Sequence, residues 1–487
     1  GLFRLRYLKR IPEYSTATVR ALSRSLYDKD AETRWRSAYA FSRWPEPRAI
    51  KSLLRAARQR NRHVRLFALR SLTLLGEHAP FEAGRKALQD KDYKVRAQAV
   101  TLLGEAGRAD LIPKEIAEDK SAHVRAAAAN ALSQAKGDMS LLAKLAEDAS
   151  PMVRGAAILS LAKRRRDGYS IDLEGHAKDS HWWVRSRAML AAARLKRAAF
   201  NILETGLADA DIRVRAAAVE ALGARRGRKV LRAIANILND PDAPLELRGA
   251  AVEAAGRQKT LLLLEPLEQA YENSRTRAFV EVREGVVDAA SALAKAHPKD
   301  PRVIEFRKRL LQDSAQPVRA KAARALGLKA EPAPPPTSSP FLLEAPAKET
   351  SVVLETDKGK VVIELFCEDA PIHCANILSL ARKGTYNGTP FHRVVTNFVV
   401  QGGDPRGTGW GDAGYSLRDE INRRRFNRGT VGMPKAGKDT GGAQIFITHV
   451  PTPHLDGRYT VFGKVVLGMY IVDQLEPGDL IQKAYPR

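Results

Sequence analysis

The residues of this 487-residue chain best suited to chemistry lie near its C-terminal end, in four short blocks. The first is Phe391-His392-Arg393, and the second runs from Phe398 through Val399 and Gln401 to Asp404. The third is Gly441-Gly-Ala-Gln444-Ile-Phe446-Ile-Thr448, and the fourth is His454-Leu455-Asp456-Gly457-Arg458-Tyr459. For the histidines in and beside these blocks, His392, His449 and His454, structural hydrogen bonds are the default role, not metal binding. Asp439-Thr-Gly-Gly442 lacks the strand and following helix that a phosphate cradle needs. The two cysteines of the chain, Cys367 and Cys374, belong to no metal pattern and read as small, partly buried thiols. What stands out is the guanidinium of Arg393, among aromatic and amide side chains. Always charged and rigid in its fork, it is a fixed hydrogen-bond donor.

Short strands and one helix must position these blocks. Ser351–Glu355 and Lys360–Phe366 alternate or run apolar around the turn Thr356-Asp-Lys-Gly359, as paired strands do. Residues 370–382 read as a helix with Pro371 near its first position. Asn397–Gln401, Gln444–Thr448 and Tyr459–Val465 read as further strands. Many short strands with glycine turns predict a closed antiparallel barrel.

Taken together, the four blocks resemble the signature of the cyclophilin family of peptidyl-prolyl cis/trans isomerases, over the last 137 residues from Ser351 to Arg487. The resemblance implies an eight-stranded barrel flanked by two helices, a reaction on X-Pro bonds, and no metal or cofactor. It makes Arg393 the catalytic arginine, with Gln401 and Gln444 positioning it and the substrate backbone. Phe398, Phe446 and Leu455 would form the proline pocket, with Val399 at its wall and Tyr459 closing it. Lys435 and Ala436 would offer backbone contacts, and His454 would join the substrate-binding set. The departures are Val399 where many members carry Met, Pro434-Lys435 where Ala-Asn is usual, and His454 where Trp is common. Loss of that indole weakens the case for cyclosporin binding more than that for isomerisation.

The first 329 residues follow a different rule. An arginine recurs after an acidic or polar turn at positions 34, 65, 96, 125, 154, 185, 215, 248, 283 and 319, a period near 30. Such periods mark a solenoid of stacked units. Ala-rich stripes at helical spacing, as at Val214, Ala217, Ala218, Ala221 and Leu222, let neighbouring helices approach closely. Glycines such as Gly104 and Gly223 are expected to end their helices in a left-handed turn. The pattern resembles HEAT-like repeats, about ten of them over 1–329. A Pro-rich linker over 330–349 then leads to the cyclophilin-like domain at 350–487. The fold class is thus multidomain, an all-α solenoid followed by a mainly-β barrel. The recurring arginine reads either as a phosphate-binding ladder or as a stacking device paired with acids such as Asp90, Glu118, Asp148 and Asp209. Trp182 and Trp183 read as contacts or core.

Of the formal charge of +26, only +3 falls from Ser351 onward, leaving +23 in the first 350 residues. That asymmetry points to an acidic partner, whether nucleic acid, membrane surface or protein, or else to structural arginines. Lys163–Arg166 and Arg225–Lys229 are the clusters outside the repeat. No stretch is long and apolar enough to span a bilayer. The start Gly1-Leu-Phe, without Met, reads as processed or trimmed, and a bacterial envelope location is favoured over the cytoplasm. The expectation is a prolyl isomerase on proline-containing polypeptide clients, tethered to a scaffold that binds clients or a protein partner, and acting in folding or assembly. The alternatives are a non-catalytic scaffold whose barrel only holds proline peptides, and a basic solenoid binding an acidic polymer.

Overall fold

The computed structural model describes residues 13–134, 139–164, 171–195, 199–276, 279–331 and 350–487. The linker from 332 onward, together with Arg165 and Arg166, lies outside the described residues. Among the described residues no helix is long and apolar enough to cross a membrane.

Each recurring arginine lies in the first turn of a helix, for example Arg62–Thr73, Tyr93–Glu105, Ala122–Ala131, Ile212–Gly223 and Val280–Ala296. Side-chain caps start several of them: Asp92 accepts from the Lys94 amide and Asp211 from that of Arg213, satisfying donors the helix leaves open. The valine before the arginine is fully buried in unit after unit, at Val64, Val95, Val124, Val153 and Val214. Gly104 and Gly223 do not end their helices in a left-handed turn as expected: Gly104 lies inside its helix, Gly223 is the last helical residue of its own, and neither has a positive φ. A Cβ on Gly104 would stand 2.8 Å from that of Ala131, and one on Gly223 would stand 2.9 Å from the Cα of Ala254. These glycines exist for close helix packing.

The ladder arginines are stacking devices. Arg65 donates from Nε and Nη2 to Asp90 of the next unit at 2.6 and 2.8 Å, and from Nη1 to the carbonyls of Gln59 and Arg60. Arg96 does the same with Asp119, Arg125 with Asp148, Arg154 with Asp179 and Arg185 with Asp209. The Asp90 carbonyl in turn accepts from Arg96, so each acid links two arginines. A planar fork meeting a carboxylate in two parallel bonds ties unit to unit directionally. Glu118 is not a ladder acid; its neighbour Asp119 is, and Glu118 pairs with Lys144 at the surface.

The C-terminal domain is one antiparallel sheet of nine strands: β1 (Ser351–Thr356), β2 (Gly359–Leu365), β3 (Thr389–Pro390), β4 (Arg393–Val395), β5 (Val399–Gly402), β6 (Thr430–Gly432), β7 (Ile445–Thr448), β8 (Val461–Leu467) and β9 (Leu480–Pro486). Their order is β3-β9-β1-β2-β8-β6-β7-β5-β4. The expected eight-stranded closed barrel is therefore a nine-stranded curled sheet. Its end strands β3 and β4 are not hydrogen-bonded partners but are joined through Phe391 and His392. The expected flanking helices are Pro371–Arg382 and the short Met469–Val472. The core inside holds Val361, Leu378, Val431, Ile447 and Phe462. Cys367 and Cys374 are free thiols, half-buried and buried.

The two parts meet along a seam that runs the length of the array. At five units the residue two positions before the ladder arginine bonds to the sheet domain. Glu32 pairs with Arg425 at 3.2 Å and Lys94 with Asp473 at 3.0 Å. His123 shares a hydrogen bond of 2.9 Å with Thr396, and Arg213 donates to the Gly407 carbonyl. Glu246 pairs with Arg406 and accepts from Thr408. Trp182 and Trp183 are half-buried and help line the seam beside His392 and Trp410.

Candidate active site

Strands β4 and β5 form a hairpin in which Arg393 stands directly opposite Gln401, and on β5's other side Gln401 stands opposite Phe446 of β7. This register alone brings three of the predicted residues to one face. Arg393 Nη1 lies 3.4 Å from Gln401 Oε1, Gln401 Nε2 donates to Gln444 Oε1 at 2.9 Å, and Gln444 Nε2 donates to the carbonyls of Gly409 and Gly411 at 3.0 Å. The chain of amides fixes both glutamines and leaves the exposed guanidinium aimed by one weak bond. Its carbon sits 5.9 Å from the ring centroid of Phe398.

A hollow of about 500 Å³ opens beside Arg393. Phe398, Val399, Phe446, Leu455 and Tyr459 line it, together with Gln401, Gln444, Lys435 and Ala436. Phe446 meets Tyr459 edge to face at 5.9 Å and stacks on Phe426 at 5.3 Å, which holds the floor flat and apolar. Lys435 is paired with Asp419 and lies over the Tyr459 ring. The Ala436 amide is already bonded to Thr440 Oγ1 at 3.0 Å, so this residue has no free N–H to offer a peptide.

His454 is the predicted residue that the structure moves. It does not line the hollow but stands behind it, its ring stacked on Phe398 at 5.4 Å and its Nδ1 2.8 Å from the Tyr39 hydroxyl of the array. Burial, helped by Arg43, Arg70 and Arg458, lowers its pKa to about 4, so it is neutral near pH 7. The hairpin tip is anchored as well. Asn397, with φ +60°, donates to the Lys94 carbonyl at 3.0 Å while Thr396 meets His123. Asn tolerates this left-handed conformation better than most residues. The array therefore holds the hairpin that carries Arg393.

Sequence reasoning missed several residues of the hollow: Trp410, Asp412, Tyr415 and, from the array, Glu281. The loop carrying Trp410 and Asp412 is shaped by buried Asp404, whose carboxylate accepts from the amides of Arg406, Thr408, Gly409 and Gly411. A lone Asp followed by three closely spaced glycines was the available signal.

Residues 351–486 match the family described as cyclophilin type peptidyl-prolyl cis-trans isomerase, and residues 81–141, 115–194 and 200–285 match HEAT repeats. A peptidyl-prolyl cis-trans isomerase of Helicobacter pylori is 44% identical over 140 residues, 28% of this chain and 86% of that one. Peptidyl-prolyl cis-trans isomerase B of Bacillus subtilis is 44% identical over 137 residues, 28% of this chain and 96% of its own length. Among solved structures, a cyclophilin type isomerase of Cryptosporidium parvum is 32% identical and aligns over 28% of this chain and 98% of that one, with a TM-score of 0.27.

Proposed function

The chain belongs to the cyclophilin-type peptidyl-prolyl cis-trans isomerases, and from that premise we propose that it rotates X-Pro bonds in protein clients while its HEAT array holds the active-site hairpin and selects those clients. The observation that carries this reading is Arg393 at the edge of an open, aromatic-floored hollow, aimed by Gln401. An X-Pro amide must lose its resonance to turn, a barrier of about 18–20 kcal/mol. A site lowers that barrier by binding the twisted amide better than either planar form. The proline ring would sit on Phe446 and Leu455, against Phe398. Arg393 would donate to the peptide group as its nitrogen pyramidalises, and the Gln401–Gln444 pair would hold the client backbone. The chemistry needs no electron or group transfer, only a fixed donor and a fixed slot.

A role in folding or assembly of proline-containing polypeptides follows from this activity. The phosphate-ladder form of the acidic-partner reading loses its support, because the ladder arginines are committed to acidic side chains and backbone carbonyls. Arg225, from the second basic cluster, is likewise committed to the Ala192 and Leu195 carbonyls.

The test is isomerisation of a proline reporter peptide by the full chain and by Arg393→Ala. We expect kcat/KM to fall about a hundredfold, the loss seen when one preorganised donor is removed from a reacting centre. No catalysis by the folded wild-type chain would leave a proline-peptide binder instead.

A further inference from the structure

The array's docking row ends over the active site. Of the charged residues two positions before a ladder arginine, Glu32, Lys94, Arg213 and Glu246 each bond to the isomerase domain. Glu281, two before Arg283, occupies the same register in the helix Val280–Ala296 but lines the hollow beside Arg393. Its side chain is exposed and makes no ion pair among the described residues. Trp410, 43% exposed, lines the same hollow. The Trp410 ring packs against Gly249 of the neighbouring array helix, 3.7 Å from where a Cβ would stand.

The charges of the hollow fix what such a pair would hold. Lys435 is neutralised by Asp419. Arg393 is reserved for the reacting amide. Asp412 and Glu281 are the acids, and among the described residues the lining carries an indole face and no further cation. A carboxylate beside an exposed indole is the chemistry that receives a lysine or arginine side chain, through an ion pair and a cation–π contact together. An acidic client residue would instead meet two carboxylates with one committed arginine.

We propose that Glu281 and Trp410 form a receptor for a basic side chain of the client flanking the isomerised proline, so that the array contributes a specificity determinant to the isomerase. This rests on the isomerase reading above and names the client chemistry that it favours.

The experiment is kcat/KM, at low and high salt, for matched peptides that cross the groove, with Lys, Gln or Glu placed in turn at the positions flanking one X-Pro bond. It uses the full chain, Glu281→Gln and Glu281→Lys. At one flanking position the wild type should favour Lys over Glu about fivefold at low salt, the size of an exposed ion pair with a cation–π contact. That ratio should fall toward one in high salt and in Glu281→Gln, and invert in Glu281→Lys. The readout is the ratio within each protein, so a general change in activity does not enter it. Catalysis with the same Lys-to-Glu ratio in the wild type and in Glu281→Lys would overturn the receptor alone. Absence of catalysis on every peptide by the folded wild type would overturn the isomerase reading itself.

Discussion

Two rows of side chains, two residues apart on the same helices, behave in opposite ways. The ladder row is arginine at every unit; most members turn inward to bind the acid of the next unit, as Arg96 does Asp119 and Arg154 does Asp179, while Arg34, Arg215 and Arg248 hold backbone carbonyls. The row two residues earlier holds Glu32, His63, Lys94, His123, Met152, Trp183, Arg213, Glu246, Glu281 and Pro317, of mixed type, and five of them bond outward to the isomerase domain. Repetition in the first row is what stacking requires, since each interface is the same. Variety in the second is what docking requires, since each unit meets a different part of an irregular surface. A repeat array thus separates the residues that build it from those that use it.

Breaking the first row should cost most. Arg283 and Asp313 are almost completely buried, and Arg283→Ala leaves the carboxylate without its partner. A loss of about 3–5 kcal/mol in denaturant unfolding of the array is expected; a change below about 1 kcal/mol would show that the ladder is ornamental. Overfilling the interface should cost less. Gly104→Ala places a methyl 2.8 Å from Ala131, and a loss of about 1–3 kcal/mol is expected. An unchanged or raised melting temperature would mean that the helices can part freely there.

The second row should respond to pH where the first does not. Burial lowers the pKa of His123 and His454 to about 4 and that of His449 to about 3. The neutral forms are therefore favoured in the docked state, and the separated state binds more protons below pH 6.5. Docking should weaken as pH falls from 6.5 toward 4 and be fully restored above 6.5. Asp473 does not offset this. Burial raises it, but the Arg428 hydrogen bond and the Lys94 charge outweigh that and hold it to about 2, so it stays ionised throughout the window. Hydrogen exchange of the hairpin Arg393–Gln401, corrected for intrinsic rates, should speed up over that range; flat protection would sink the assignment. Smallest of all is the exposed Glu32–Arg425 pair, where Glu32→Ala should shift stability by less than about 1 kcal/mol. A larger loss would mean that the seam depends on its rim.

Much of the site was legible because its chemistry lies in four local blocks whose residue types are hard to mistake. Arg393, Phe398, Gln401, Gln444, Phe446 and Leu455 do converge, through strand register that alternation already implied. His454 was misread because its partner, Tyr39, is 415 residues away and on the other fold. Gly104 and Gly223 were misread because ending a helix and admitting a neighbour both call for a missing side chain, and only the packing tells them apart. Glu118 was chosen over Asp119 because adjacent acids look alike until the fork of Arg96 selects one. Glu281 was invisible for a related reason. The docking row has no fixed residue type, and its signal is the offset of two from a ladder that first has to be recognised as structural.

The central claim is that array and isomerase are energetically one object, and a double-mutant cycle across the seam tests it most directly. Lys94→Met, Asp473→Asn and the pair would be compared by thermal or denaturant unfolding of the full chain. The two residues are 3.0 Å apart, Lys94 buried and Asp473 half-buried beside Arg428, so their effects should couple by about 1–3 kcal/mol. Additivity within about 0.5 kcal/mol would mean that the array and the isomerase fold side by side without sensing each other.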